Sequence, residues 1–203
     1  MTPRTKKQFE EIREEKKELI ANTALQLFSE KGYHAATISE IARQAKISKG
    51  LIYNYFESKE QILVYILDDF VKLVSNLMNP NNDDEITNEE MENFFDLLIE
   101  TMKTNSEHWK VVFQLAMQKD VASMMLTKEG TSDGAVKLLK LGYQYFADRF
   151  ENPAEELLLF RSVVKGLALI IVYTPEMCPD ELINSIKRRL KGMFIKPKND
   201  AVK

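Results

Sequence analysis

The stretch from Thr37 to Phe56, TISEIARQAKISKGLIYNYF, constrains the fold of this chain more than any other. It contains two helix starts separated by a segment too short to be anything but a turn. Thr37 offers its hydroxyl as an N-cap and Glu40, three residues on, closes a capping box, so a helix begins at Ile38. Ile38, Ile41 and Ala42 share one face of it, and the small Ala42 lets a second helix cross closely. Ala45-Lys46-Ile47 turns the chain, and Ser48 is a second N-cap. The helix from Lys49 to about Tyr55 turns Ile52 and Phe56 inward at i, i+4 spacing and leaves Lys49, Gly50, Tyr53, Asn54 and Tyr55 outward. Ser58 with Gln61 opens a third helix at Lys59. This is the helix-turn-helix pattern, whose second helix enters the major groove of DNA.

Lys31-Gly32-Tyr33, Thr37 to Ala42 and Ile47 to Glu60 closely resemble the N-terminal domain of TetR-family transcriptional regulators, over about residues 10 to 65. One departure is Lys46, where the family often has Gly. That position is expected near the left-handed region, which costs a non-Gly residue about 1 kcal/mol. The remaining two thirds of the chain match the family only in helical layout.

Net charge is −3, which looks wrong for a DNA binder until its distribution is read. Residues 1–60 carry eleven Lys and Arg against nine Asp and Glu, and residues 61–203 carry seventeen against twenty-two. The acidic remainder is repelled by phosphate, which favours docking by the N-terminal end. The 44% hydrophobic and 29% charged content is that of a folded soluble protein, and seven Gly with six Pro leave much of the chain to helix. A single cysteine, Cys178, excludes an intramolecular disulfide and fits a reducing, cytoplasmic compartment. The N-terminus has no apolar signal region, and the most apolar run, 166–173, is too short to span a membrane.

In order, Met1 to Gln8 is a basic, frayed start that can touch phosphate or the minor groove. Phe9 to Lys31 is an amphipathic helix with Gly32 as its C-cap. Its charged face from Glu10 to Glu18 reads as solvated surface. A long helix runs from Lys59 to about Met78, followed by a loop over 79–84. Thr87 with Glu90 caps a helix to about Asn105, and Ser106 starts another. A short helical segment over 120–126 and a break over 129–132 precede a helix from Asp133 to Phe150. Asn152-Pro153 opens a helix to Tyr173 that is apolar on nearly all sides, and therefore buried on both. Pro175 to Pro179 turns the chain into a last helix, Asp180 to Phe194, with a disordered tail over 196–203. No strand signal and no internal repeat appears. The expected fold is all-α with about nine helices: a helix-turn-helix domain over residues 1–58, and a helical ligand-binding and dimerisation domain over 59–203.

Exposure on the reading helix selects the DNA-contacting candidates. Lys49 and Lys59 are phosphate contacts, Lys59 in the positive first turn of a helix. Thr37 and Ser48 cap and touch phosphate together. Tyr53 and Tyr55 resemble the family's backbone-contacting positions, with packing as the alternative. Gly50, Leu51 and Asn54 lie closest to base edges, where Asn54 pairs with adenine. Lys46, like Arg43, is an exposed cation near the DNA backbone or serves solubility alone.

The resemblance also implies a homodimer, formed when the last two helices pair with those of a second copy. The two-sided helix 153–173, with Gly166 permitting close approach, is the independent reason for it. The seam candidates are Leu157, Phe160, Val164, Gly166, Leu167 and Ile171, with Leu182, Ile186 and Leu190 from the last helix. The alternative is that this helix is the core of one monomer. A two-fold protein matches a palindromic operator.

For the C-terminal domain the resemblance points to an apolar effector pocket. Its candidates are Phe94, Phe95, Leu98, Met102, Trp109, Phe113 and Met117, with Met125, Tyr143 and Phe146. An ordinary core is the alternative for each. Few charges fall among them, so the effector is expected to be hydrophobic or amphipathic, releasing DNA through a tilt of helix 59–78. No catalytic or metal-ligand spacing involves His34, His108 or Cys178, no phosphate-binding glycine loop occurs, and no cofactor is implied. The expectation is a ligand-responsive transcriptional regulator acting as a repressor on double-stranded DNA. Its rival is an architectural or partner-recruiting DNA-binding protein with no small-molecule ligand.

Overall fold

The computed structural model describes residues 6–119, 121 and 133–198, and every regular element among them is helical. In chain order these are α1 (Lys6–Lys31), α2 (Ile38–Gln44), α3 (Lys49–Tyr53), α4 (Lys59–Met78), α5 (Asn88–Thr104), α6 (Ser106–Ala116), α7 (Asp133–Ala147), α8 (Pro153–Tyr173) and α9 (Asp180–Phe194). A single 3₁₀ turn, Pro175–Met177, joins α8 to α9. The all-α expectation holds. The expectations on residues 1–5, on 120 and 122–126, on the 129–132 break, on the tail beyond 198 and on Met125 fall outside the described residues.

Several helix boundaries lie where capping chemistry puts them, although Asn152, expected to cap α8, makes no side-chain cap bond. Thr37 and Thr87 each close a capping box, with Glu40 and Glu90. Gly32 ends α1 with φ of 87°, a left-handed conformation that glycine adopts without steric cost. Three boundaries differ from expectation. Residues 6–8 continue α1 instead of fraying. The last turn of α3 tightens, with Asn54 N–H bonded to Leu51 O and Tyr55 N–H to Ile52 O, so the helix closes at Tyr53. α7 stops at Ala147, short of Asn152-Pro153, where proline disfavours helical geometry in its predecessor.

The described residues form two compact units, one drawn from 6–69 with 111–119 and 121, the other from 70–110 with 133–198. α4 and α6 each contribute to both. In the first unit, Ile20, Ala24 and Phe28 of α1 are buried, as are Ile41, Ile52, Ile62 and Leu63 from the next three helices. Burying each large apolar side chain is worth about 1.5–3 kcal/mol. The charged face of α1 carries Lys17 bonded to Glu14 at 2.8 Å, an i, i+3 pair.

In the second unit α7 and α8 pack against one another, and α5 packs on α8 and α9. An aromatic cluster fills the centre. Phe160 of α8 lies 5.2 Å from Phe194, 5.4 Å from Phe146, 5.9 Å from Phe95 and 6.1 Å from Phe94, between ring centroids. Asn88, the first residue of α5, knits the edge of this core. Its side-chain oxygen accepts from Tyr145 Oη at 3.0 Å and Arg149 Nε at 2.9 Å, and its Nδ2 donates to Lys196 O at 3.0 Å. Asp96 on α5 pairs with Lys187 at 2.6 Å and Lys191 at 2.8 Å on α9.

Candidate nucleic-acid interface

The reading pair is held at both ends by side chains that satisfy its orphan backbone groups. Thr37 Oγ1 accepts the N–H of Glu40 at 3.2 Å, while Glu40 Oε2 accepts the Thr37 N–H at 3.0 Å. Glu40 also takes Lys31 Nζ at 2.7 Å, tying the end of α1 to the start of α2. That lysine, and then the Thr37 hydroxyl, lower the Glu40 carboxyl from 4.5 to about 2.

The turn after α2 is a Schellman motif. Ile47 N–H reaches back to Ala42 O at 3.0 Å and Lys46 N–H to Arg43 O at 3.3 Å. The motif demands a left-handed residue, and Lys46 supplies it with φ of 55°. The sequence expectation for this position is met, together with its steric cost. Ser48 Oγ then accepts the Leu51 N–H at 3.1 Å and starts α3.

Ile52 and Phe56 face inward and are buried, which orients the other side of α3 outward. Thr37, Lys46, Ser48, Lys49, Gly50, Tyr53 and Asn54 are exposed, while Leu51 and Tyr55 are partly buried. A Cβ built on Gly50 would meet nothing within 4 Å, so the backbone here is open to close approach by a partner. Lys49 Nζ lies 5.9 Å from the Tyr53 ring centroid. Tyr55 is covered from α1, where the Arg13 guanidinium carbon sits 5.3 Å from its ring centroid. Sequence reasoning missed Arg13, because nothing in the local spacing of α1 says which of its cations meets the reading helix.

Lys59 stands apart from the other candidates. Its ammonium donates to three backbone carbonyls between α1 and α2: Tyr33 O at 2.8 Å, His34 O at 3.2 Å and Ala36 O at 3.0 Å. It also lies 4.5 Å from the Tyr33 ring centroid. The buried Tyr33 donates its hydroxyl to Glu60 at 3.0 Å, and burial, with that carboxylate, raises the phenol well above its usual range. Gln118 Oε1 accepts the Tyr33 N–H at 2.8 Å, and Gln118 Nε2 donates to Phe28 O at 3.0 Å.

A family model described as bacterial regulatory proteins, tetR family, matches residues 20–66, the segment that carries this geometry. Residues 20–66 are thus similar to the N-terminal domain of the tetR family. The chain is similar to the uncharacterised HTH-type transcriptional regulator YuxN of Bacillus subtilis, 28% identical over 196 residues that cover 88% of this chain and 64% of that protein. The chain thus spans 64% of the length of that relative. A TetR-family transcription regulator from Marinobacter aquaeolei shares the fold with a TM-score of 0.70 at 16% identity, over 93% of this chain and 100% of that one. So does NalD of Pseudomonas aeruginosa, the secondary repressor of the MexAB-OprM multidrug efflux pump, with a TM-score of 0.62 at 17% identity over 93% and 98%.

The effector candidates lie in three different settings. Phe94, Phe95 and Phe146 belong to the aromatic core around Phe160. Leu98, Met102 and Trp109 are buried, with Trp109 edge-on to Phe70 at 5.1 Å. Phe113 is partly buried, whereas Met117 is 76% exposed and Tyr143 47% exposed.

The seam candidates divide as sharply. Phe160, Ile171 and Leu190 are buried in the chain's own core, Phe160 within the aromatic cluster. Leu157, Val164, Leu167 and Ile186 are partly buried. Gly166 faces open space, and Leu182 is 46% exposed. Around Gly166 the outer face of α8 carries Leu158, Leu159, Leu169, Ile170 and Tyr173, all exposed, and α9 adds Met193. The helix is indeed apolar on both sides, but its outward stripe lies about half a turn away from Phe160 and Ile171.

Proposed function

We propose that this chain is a DNA-binding transcriptional regulator that works as a homodimer on a palindromic operator. The observation that carries the proposal is the outer face of α3, where Lys49, Gly50, Tyr53 and Asn54 are exposed behind two capped helix starts. A positive side chain, an open backbone, a hydroxyl and an amide are the groups that fix a helix on phosphate and read base edges. Thr37, Ser48 and Tyr55 flank that face, and Lys46 extends it along the turn. The dimer is supported by the exposed apolar stripe around Gly166 on α8 and by Leu182 and Met193 on α9. Leaving such a stripe in water is costly, and a two-fold copy of itself covers it.

The regulatory sense we assign is repression, relieved by a hydrophobic or amphipathic small molecule. NalD, which shares the fold, is a repressor. Leu98, Met102 and Trp109 give an effector an apolar, adaptable environment with one polar handle. Release requires only that the effector bind the non-reading state more tightly, and a tenfold loss of operator affinity needs about 1.4 kcal/mol of coupling.

The test is selection of duplexes from a random pool by the full chain. A two-fold symmetric consensus with half-sites about one DNA turn apart is expected. Recovery of no consensus, or of an asymmetric one bound by a monomer, sinks the proposal. A hydrophobic-compound screen read by Trp109 fluorescence and operator release tests the effector. No response in either signal removes that part.

A further inference from the structure

We propose that Lys59 is the positioning residue of the DNA-reading pair and not one of its phosphate contacts. This inference rests on the DNA-binding reading above. An ammonium has three N–H donors and no more. In Lys59 three carbonyls accept from it, Tyr33 O, His34 O and Ala36 O, at 2.8, 3.2 and 3.0 Å. A phosphate oxygen could be served only by releasing one of them.

What those bonds accomplish follows from where their ends lie. Residues 33–36 lead into α2, and Lys59 is the first residue of α4, just after α3. The ammonium therefore ties the segment entering the helix-turn-helix to the residue leaving it. Among the described residues, no backbone N–H serves the carbonyls of Tyr33 or Ala36. Of the N–H groups here, that of Tyr33 is held by Gln118, that of Ala36 by Gly32 O and that of the following Thr37 by Glu40. The Tyr33 ring below the ammonium and the Tyr33–Glu60 bond hold the lysine stem in place. Without the clamp the start of α2 loses three of the bonds that fix it, and the angle of α3 is held less tightly.

Salt dependence separates the two roles, because removing one phosphate interaction flattens the slope of log K against log salt by about 0.9. The full chain is titrated with its own selected duplex across a salt series. For Lys49→Ala the slope is expected to flatten by about that amount. For Lys59→Ala and Lys59→Met the affinity is expected to fall about tenfold or more at every salt concentration, with the slope unchanged. Lys59→Arg keeps the charge, but a planar fork cannot aim three donors at three converging carbonyls. It is therefore expected to leave affinity low, whereas a charge acting on phosphate would be rescued by it.

A second measurement uses the unaltered protein and so does not depend on any variant folding. In the full chain labelled with nitrogen-15 lysine, the Lys59 ammonium signal is expected to be resolved without DNA and unmoved when duplex is added. A slope flattened by about one in Lys59→Ala, rescue by arginine, or a Lys59 signal that appears only with DNA would each overturn the inference. Failure of the unaltered protein to bind any duplex would instead overturn the DNA-binding reading, a result that the same titration distinguishes.

Discussion

The two compact units of this molecule are each held together by different physics. Around the reading pair, order comes from named polar groups meeting named backbone groups: Thr37 with Glu40, Ser48 with Leu51, Lys59 with three carbonyls, Gln118 with Tyr33. In the second unit it comes from shape, with Phe160 at the centre of four other phenylalanine rings. The caps among them, Thr37 with Glu40 and Ser48 with Leu51, have a fixed spacing of three residues, whereas the Lys59 and Gln118 bonds join distant parts of the chain. Aromatic packing has no spacing rule, because any ring that reaches the centre will serve. The difference explains why one unit presents a definable polar surface and the other an apolar interior.

The largest expected effect lies in the aromatic core. Phe160→Ala removes the ring shared by the Phe94, Phe95, Phe146 and Phe194 contacts, and should cost about 3–5 kcal/mol of stability. Thermal unfolding should fall by roughly 6–20 °C on the usual scaling for a chain of this size. A small shift would mean that the cluster is looser than its geometry, and the contrast between the two units would weaken.

Next comes a pair of charge insertions on the last two helices. Gly166→Glu enters open space in the single chain, so monomer stability should hold while self-association is lost. Leu190→Glu puts the same charge into the buried core and should unfold the protein, at several kcal/mol. Sedimentation and thermal melts of the two variants check this. Equal behaviour would show that inner and outer faces of the bundle are wrongly assigned.

At the reading pair effects should be smaller and more specific. Asn54→Ala should relax preference at one base position by about 1–3 kcal/mol and leave fold stability nearly unchanged. Selection profiles of variant and unaltered protein, compared position by position, decide it. A uniform loss across all sequences would move Asn54 from base reading to backbone contact.

Acid should find the capping box before it finds the core. The Glu40 carboxyl is lowered from 4.5 to about 2 in the folded protein, so its contribution is complete above pH 4.5 and disappears as pH falls through about 2. Glu40→Gln should show none of that pH dependence. Hydrogen exchange at the Thr37 and Glu40 amides between these limits is the measurement, and identical profiles for the two proteins would contradict the assignment.

The smallest effect is a gain. Lys46→Gly removes the left-handed strain of about 1 kcal/mol at φ of 55° and should stabilise the protein by up to about 0.5 kcal/mol, after the entropy glycine adds to the unfolded chain. It also deletes a cation from the exposed turn. A variant that melts higher yet binds duplex DNA more weakly would separate local stability from recognition within one residue.

Read alone, the sequence determined the elements of local range. Both capping boxes, the Ser48 cap, the Gly32 ending, the left-handed turn at Lys46 and four of the five residues expected outward, Lys49, Gly50, Tyr53 and Asn54 but not the partly buried Tyr55, follow from residues within a few positions of one another. The tertiary structure decided what depends on partners far along the chain. It placed Arg13 over Tyr55, spent the donors of Lys59 on residues 33–36, and turned Phe160, Ile171 and Leu190 inward while leaving Leu158, Leu169 and Ile170 outside. A helix that is apolar on both sides has no local mark for which side is the core. An ammonium has none for whether a carbonyl or a phosphate will claim it. Only the packing of neighbouring helices breaks those symmetries, because burial and donor count are properties of the assembled chain.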